Sequence, residues 1–197
     1  ATLILGQSGT GKTTSLRNLD PAHTLLIQAV KKPLPFRSDG WGWFHKENKP
    51  HGNVFVSDNS DQIIKMMKGT RRDVIVLDDF QYILANEFMR RVLDKETGNA
   101  AFAKYNEIAH NAWSILMAAS QLPDHKRVYI LGHTQEDENG RVKAKTIGKL
   151  LDEKITLEGL LTIVLRTTVI NGQYLFTTKN SGLDTVKSPM GLFEPDQ

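Results

Sequence analysis

The chain has 197 residues, 40% hydrophobic and 24% charged, which suits one globular domain able to bury a core. It contains no cysteine, so disulfides and thiolate metal sites are excluded and a reducing cytoplasm is the expected location. A net charge of +3 does not by itself argue for nucleic acid, and no apolar run reaches the roughly 18 residues of a membrane span, so no membrane partner is expected.

The first predicted element is a short strand, Leu3-Ile4-Leu5. It runs directly into Gly6-Gln7-Ser8-Gly9-Thr10-Gly11-Lys12-Thr13, which fills the pattern G-x-x-x-x-G-K-[ST] at every fixed position. A helix is predicted behind it, from Thr14 to Leu19, closed by Asp20-Pro21. Strand, glycine loop and helix in that order form a phosphate-binding element. Glycines let the loop wrap tightly enough for successive backbone N–H groups to face phosphate oxygens. The following helix would add N-terminal donors and the positive end of its dipole. The candidate nucleotide-binding residues are Gly6, Gln7, Ser8, Gly9, Thr10, Gly11, Lys12, Thr13 and Thr14. Among them the Lys12 ammonium is expected at the β- and γ-phosphates, the Thr13 hydroxyl on Mg²⁺, and Thr14 at the α-phosphate.

Further along, Thr24 to Val30 reads as a second buried strand. Lys31 to Pro50 is irregular, since three prolines, two glycines and two tryptophans argue against helix or long strand. Trp41 and Trp43 are expected to pack this segment onto the sheet. Asn53 to Val56 is a short strand, and a helix capped by Asp58 or Ser60 follows through Lys68, with Ile63, Ile64 and Met67 on one face. Asp73 to Asp78 is a strand whose apolar centre is continuous, as in a sheet covered on both faces. Helices are expected over Ile83–Leu93 and Ala100–Ser120, then a strand over Val128–Leu131. Glu136 to Lys149 is polar and charged and reads as a mobile loop. Leu161 to Ile170, a turn at Asn171-Gly172 and Gln173 to Thr178 form a terminal hairpin. The fold class is α/β: a mostly parallel sheet flanked by helices, with an antiparallel edge, in one domain. No clear final element precedes Gln197, so more chain is expected beyond it.

Asp78 ends an apolar strand, where a carboxylate can hold Mg²⁺ against the β- and γ-phosphates. Asp79 follows and is the candidate to polarise an attacking water, with an N-cap as its structural alternative. The strand over Val128–Leu131 ends in Gly132-His133-Thr134-Gln135, and ligands of open α/β sheets sit at such carboxyl ends. His133 and Gln135 are therefore candidates to hydrogen-bond the γ-phosphate and report its loss to the loop that follows.

With these motifs the chain resembles the RecA-like P-loop NTPases in shortened form, and within them the phage-encoded ATP-binding proteins, some of which are single-strand annealing ATPases. Lys12-Thr13-Thr14 carries the superfamily likeness. Gln135 resembles the γ-phosphate-sensing glutamine at the start of the family's second DNA loop. Phe176-Thr177-Thr178-Lys179-Asn180, with Pro189 and Phe193, resembles the Lys-Asn stretch through which neighbouring subunits reach ATP, and Pro33-Leu34-Pro35-Phe36-Arg37 is similar to the phage group. The resemblance implies ATP and Mg²⁺ as ligands, catalytic roles for Lys12, Asp79, Gln135 and Lys179, and metal contacts from Thr13 and Asp78. It also implies single-stranded DNA as partner, a homo-oligomer with ATP between subunits, and work beside a single-strand-binding protein in a host cytoplasm. Two loops would meet the DNA: one with Lys95, Lys104 and Tyr105, the other with Arg141, Lys143, Lys145 and Lys149. Cationic tracks with aromatic platforms are how single strands are held. One departure is that Val30 stands near the family's catalytic glutamate, which makes slow hydrolysis, or Asp79 as base, the expectation.

Three other readings use the same phosphate loop. A small-molecule or nucleoside kinase needs an arginine-rich lid, and the only paired arginines are Arg71-Arg72 and Arg90-Arg91. An AAA-type remodelling or loader ATPase calls for a helical lid after the core, where a hairpin is predicted. A nucleotide-gated binding module without catalysis is the third.

Overall fold

The apolar runs of the sequence assemble into one seven-stranded sheet in a computed structural model that describes residues 1–44, 52–93, 99–147 and 155–193. Its first strands are β1 (Thr2–Leu5), β2 (Thr24–Gln28), β3 (Val54–Val56), β4 (Val74–Asp78) and β5 (Arg127–Gly132). A separate antiparallel pair, β6 (Thr134–Glu136) and β7 (Val142–Ala144), follows, and β8 (Ile163–Ile170) and β9 (Gln173–Thr177) complete the main sheet. The spatial order is β3-β2-β4-β5-β1-β8-β9. Every neighbouring pair is parallel except β8 with β9. Asn171 and Gly172 join that last pair with φ of 51° and 77°, the positive values a two-residue type I′ turn requires.

Alternation along the strands separates two apolar layers. Leu3, Leu5, Leu25, Ile27, Ile75, Leu77 and Ile130 point to one face. There they meet α1 (Ser60–Gly69), α2 (Gln81–Arg90) and α3 (Asn99–Ser120), which contribute Ile63, Met67, Ile83, Leu84, Ile115 and Leu116. Ile4, Leu26, Val76 and Leu131 point the other way, onto Leu16, Leu34, Phe36, Trp41 and Trp43. The irregular proline-rich segment thus does the work of a covering helix on the second face. Its two tryptophans pack there as expected, with Lys31 5.0 Å over the Trp43 ring.

Several boundaries differ from the sequence expectation, each for a local reason. The element after the glycine loop is a six-residue 3₁₀ helix, Thr13–Asn18, instead of an α-helix. Leu19 already turns extended at ψ 140°, so the segment ahead of Asp20-Pro21 is too short for α-helical bonding to propagate. The cap of α1 is Asn59, whose side chain accepts from the Gln62 amide, in place of Asp58 or Ser60. Asp58 is instead turned to Asn86 and Arg90 of α2. Residues 136–147, expected as a loop, contain the last residue of β6 and all of β7. Their turn is built by Asp137, which accepts from the amides of Asn139 and Arg141 at 2.9 Å each. Those backbone bonds hold the Asp137 carboxyl below the usual range.

Core burial should therefore govern stability on the helical face and not on the hairpin. Ile75 is fully buried and Leu175 is 42% exposed. Ile75→Ala is expected to lower the unfolding free energy by about 3 kcal/mol and Leu175→Ala by less than about 1 kcal/mol, read from urea denaturation midpoints at constant slope. Similar losses at both positions would contradict the two-layer core.

Candidate functional site

The carboxyl ends of β1, β4, β5 and β8 open into one cleft of about 600 Å³, lined by the glycine loop with Lys32, Asp79, His133, Thr167 and Tyr174 among others. Two glycines of the loop are required by close approach. A Cβ on Gly6 would lie 2.1 Å from the Thr167 hydroxyl, which itself sits 2.7 Å from the Thr10 hydroxyl. Gly11 has φ of 91° and lies against the Tyr174 ring, 3.0 Å from where a Cβ would stand. The β8–β9 hairpin therefore forms a wall of the glycine loop.

Lys12 is only 5% exposed, and its ammonium donates to the carbonyls of Gly6 and Gln7 at 2.9 Å each. Burial lowers its pKa, and the charges of Asp79 and Asp78 offset part of that shift. With a 3₁₀ turn behind the loop, the expected helix dipole shrinks to one short turn. The cradle then rests on loop amides and the Lys12 charge.

The two consecutive aspartates diverge because the backbone turns sharply between them. Asp78, 1% exposed, completes β4 and accepts from the Thr13 hydroxyl at 3.1 and 3.2 Å. Burial, with the neighbouring Asp79 charge, pushes its pKa up to about 6, against the pull of Lys32, Thr13 and Lys12. Asp79 has φ of 63°, a left-handed conformation that aspartate tolerates better than most side chains. That turn aims its carboxylate away from Asp78, with one oxygen on the Lys32 ammonium and the other 3.4 Å from His133 Nε2. Burial lowers the Lys32 pKa, but the hydrogen bond and charge of Asp79, with lesser help from Asp78 and Tyr82, leave it raised. Burial and the Lys12 charge hold His133 below its ordinary value despite Asp79.

Thr13 and Asp78 present hard oxygen donors side by side, the chemistry Mg²⁺ selects when phosphate and water oxygens complete its shell. Among the described residues no group of three or more histidines and carboxylates could hold a metal alone. Of the described residues, Thr13 and Asp78 could hold Mg²⁺ only with phosphate and water oxygens completing its shell.

The fold brings Lys12, Thr13, Thr14, Asp79 and His133 to the cleft, with Asp78 reached through Thr13. Gln135 lies on β6 paired with Lys143 and is not among the described residues that line the cleft. Lys179 is exposed two residues beyond β9, also outside the cleft lining. Of the DNA-facing candidates, Lys104 and Tyr105 sit within α3, not in a loop. Lys104 is 8% exposed and its ammonium donates to the Arg91 carbonyl, a correction forced by helical spacing that turns it inward. Arg141 precedes β7, Lys143 lies within it and Lys145 follows it, while Lys95 and Lys149 fall outside the described residues. Sequence reading missed Lys32, Thr167 and Tyr174. Only the polar Thr167-Thr168 step inside an apolar strand hinted at one of them, because their proximity to the loop is purely tertiary.

In comparisons with known proteins, no family model and no curated protein matches the chain. Among the described residues no helix is long and apolar enough to cross a membrane.

The raised pKa of Asp78 has a definite sign for stability. Between about pH 4 and pH 6 the folded chain keeps a proton that the unfolded chain has released, so unfolding free energy falls as pH rises through that window. The full effect is on the order of 3 kcal/mol. Asp78→Asn is expected to gain on the wild type by up to that amount between pH 4.5 and 7.5 in Mg²⁺-free urea denaturation. A stability difference that stays constant across this range would contradict it.

Proposed function

We propose that this chain is an Mg²⁺-dependent, ATP-binding and ATP-hydrolysing protein of the RecA-like P-loop type that assembles on single-stranded DNA and promotes annealing or homologous recombination. The observation that carries the reading is the junction of Lys12 in a glycine loop with the Thr13–Asp78 contact at the carboxyl edge of a parallel sheet. Lys12 gives up the Gly6 and Gln7 carbonyls for β- and γ-phosphate oxygens, a charge-assisted exchange that favours a polyanion. Thr13 and Asp78 would hold Mg²⁺, which would supply neutralisation of charge on the phosphates. Asp79 or His133, both in the lining of the same cleft, orients the attacking water.

Support for a DNA-linked switch comes from the β6–β7 hairpin. The Lys145 amide donates to the His133 carbonyl at 2.8 Å, so the strand that carries Lys143, flanked by Arg141 and Lys145, is tied to a cleft residue. His133, backed by its own amide bond to the Gln81 side chain, is then the sensor, with Gln135 one step further along the hairpin. Exposed Lys179 fits a role at a neighbouring subunit's ATP.

The test is ATP hydrolysis with and without single-stranded DNA. Hydrolysis should require Mg²⁺, rise severalfold with the DNA, and fall at least about 100-fold in Lys12→Ala. Replacing Arg141 and Lys145 together by alanine should reduce the DNA-stimulated rate and flatten its salt dependence. Hydrolysis indifferent to DNA would overturn the recombination role and move the reading to a kinase or loader.

A further inference from the structure

Lys31 and Lys32 leave β2 side by side and go to opposite uses. Lys31 covers Trp43 on the second face of the sheet, whereas Lys32 enters the cleft that the glycine loop lines. The buried side chain of Gln28, at the last residue of β2, accepts from the Lys32 amide at 3.4 Å, so the backbone beneath Lys32 is braced. Its side chain is 45% exposed, with its ammonium on the Asp79 carboxylate and 5.8 Å from the centre of the Tyr82 ring. The Asp79 side chain is 4% exposed and keeps His133 on its other oxygen, so it does not depend on Lys32 alone for a partner.

We propose that Lys32 is a second phosphate-binding cation of this site and takes the terminal phosphate of a bound nucleoside triphosphate, exchanging the Asp79 carboxylate for it. The inference rests on the nucleotide reading of the cleft given above. Lys32 and Asp79 line the same cleft as Lys12, so a polyphosphate gripped by Lys12 at its β- and γ-phosphates would bring its terminal group within reach of Lys32. Among the described residues, the charges at the cleft are three cations, Lys12, Lys32 and Arg17, and two carboxylates, Asp78 and Asp79; Arg17 donates to the Thr14 carbonyl, and Lys32 is the cation on Asp79. A terminal phosphate entering beside Asp79 meets like charge unless a cation moves between them, and Lys32 is already there on a flexible four-carbon stem. A diphosphate lacks the group that draws Lys32 away, so Lys32 discriminates triphosphate from diphosphate.

Calorimetric titration with Mg²⁺ and either ADP or the slowly hydrolysed analogue AMP-PNP tests this on the full chain. Lys32→Ala should weaken AMP-PNP by about tenfold or more while ADP changes less than about twofold. Lys32→Gln retains a hydrogen-bond donor for Asp79 without the charge and should show the same selective loss, which keeps the test valid if the alanine variant is unstable. Lys32→Arg should restore most of the triphosphate preference. Equal losses for the two nucleotides, or none, in variants with wild-type thermal unfolding would make Lys32 a structural partner of Asp79 only and overturn the proposal. Lys12→Ala separates the two levels of inference. If it leaves both affinities unchanged, the nucleotide reading itself fails. If it abolishes both while Lys32→Gln changes neither, only the role of Lys32 fails.

Discussion

A lysine ammonium almost wholly removed from water is the constraint around which this site is built. An isolated buried charge costs several kcal/mol, so Lys12 must always hold acceptors. Two loop carbonyls serve that purpose, and the charges of Asp79 and Asp78 offset part of the cost of burial. The loop can present those carbonyls only because Gly6 lets Thr167 approach its backbone and Gly11 adopts a positive φ beside Tyr174. Glycine loop, terminal hairpin and buried cation are therefore one arrangement, and a change in any of them reaches the others.

The second constraint is the pair Asp78-Asp79. Two adjacent carboxylates in a shared buried region repel, and β4 would carry them to opposite faces of its sheet by simple alternation. Here the strand ends between them and the left-handed turn at Asp79 sends its carboxylate to Lys32 and His133, leaving Asp78 to Thr13. Such a backbone conformation costs of order 1 kcal/mol and persists where surrounding contacts impose it. The Phe80 amide, bonded to the Leu131 carbonyl at 2.8 Å, is one of those contacts and joins the turn to β5. The residue that follows β5's last glycine is His133, so both ends of the Asp79–His133 contact are set by the same strand pair.

Much of this was legible in the sequence where chemistry is local. The glycine–lysine–threonine spacing, the continuous apolar run ending in Asp78 and the Asn171-Gly172 turn each require a particular backbone, and all three stand where expected. Long-range contacts were not legible. Nothing in Pro33-Leu34-Pro35 says that Lys32 faces a carboxylate forty-seven residues away, and nothing near Gly6 names Thr167 as the neighbour that forbids a side chain. The β6–β7 hairpin escaped because its strands are three residues long and charged, with too few apolar positions for a period of two to register. Its turn, built by Asp137, reads as an acidic run when only charge is considered. The 3₁₀ turn after the loop was hidden by propensity, since Ser15-Leu16-Arg17 suit a helix that six residues cannot sustain.

The most direct measurement is a crystal structure grown with Mg²⁺ and AMP-PNP. A nucleotide site built on this geometry requires the β-phosphate inside the loop from Gly6 to Thr13, the Lys12 ammonium moved from the Gly6 and Gln7 carbonyls onto phosphate oxygens, and Mg²⁺ beside Thr13 and Asp78. A structure at saturating nucleotide in which Lys12 still holds both carbonyls, or in which the triphosphate lies outside the cleft, would contradict it.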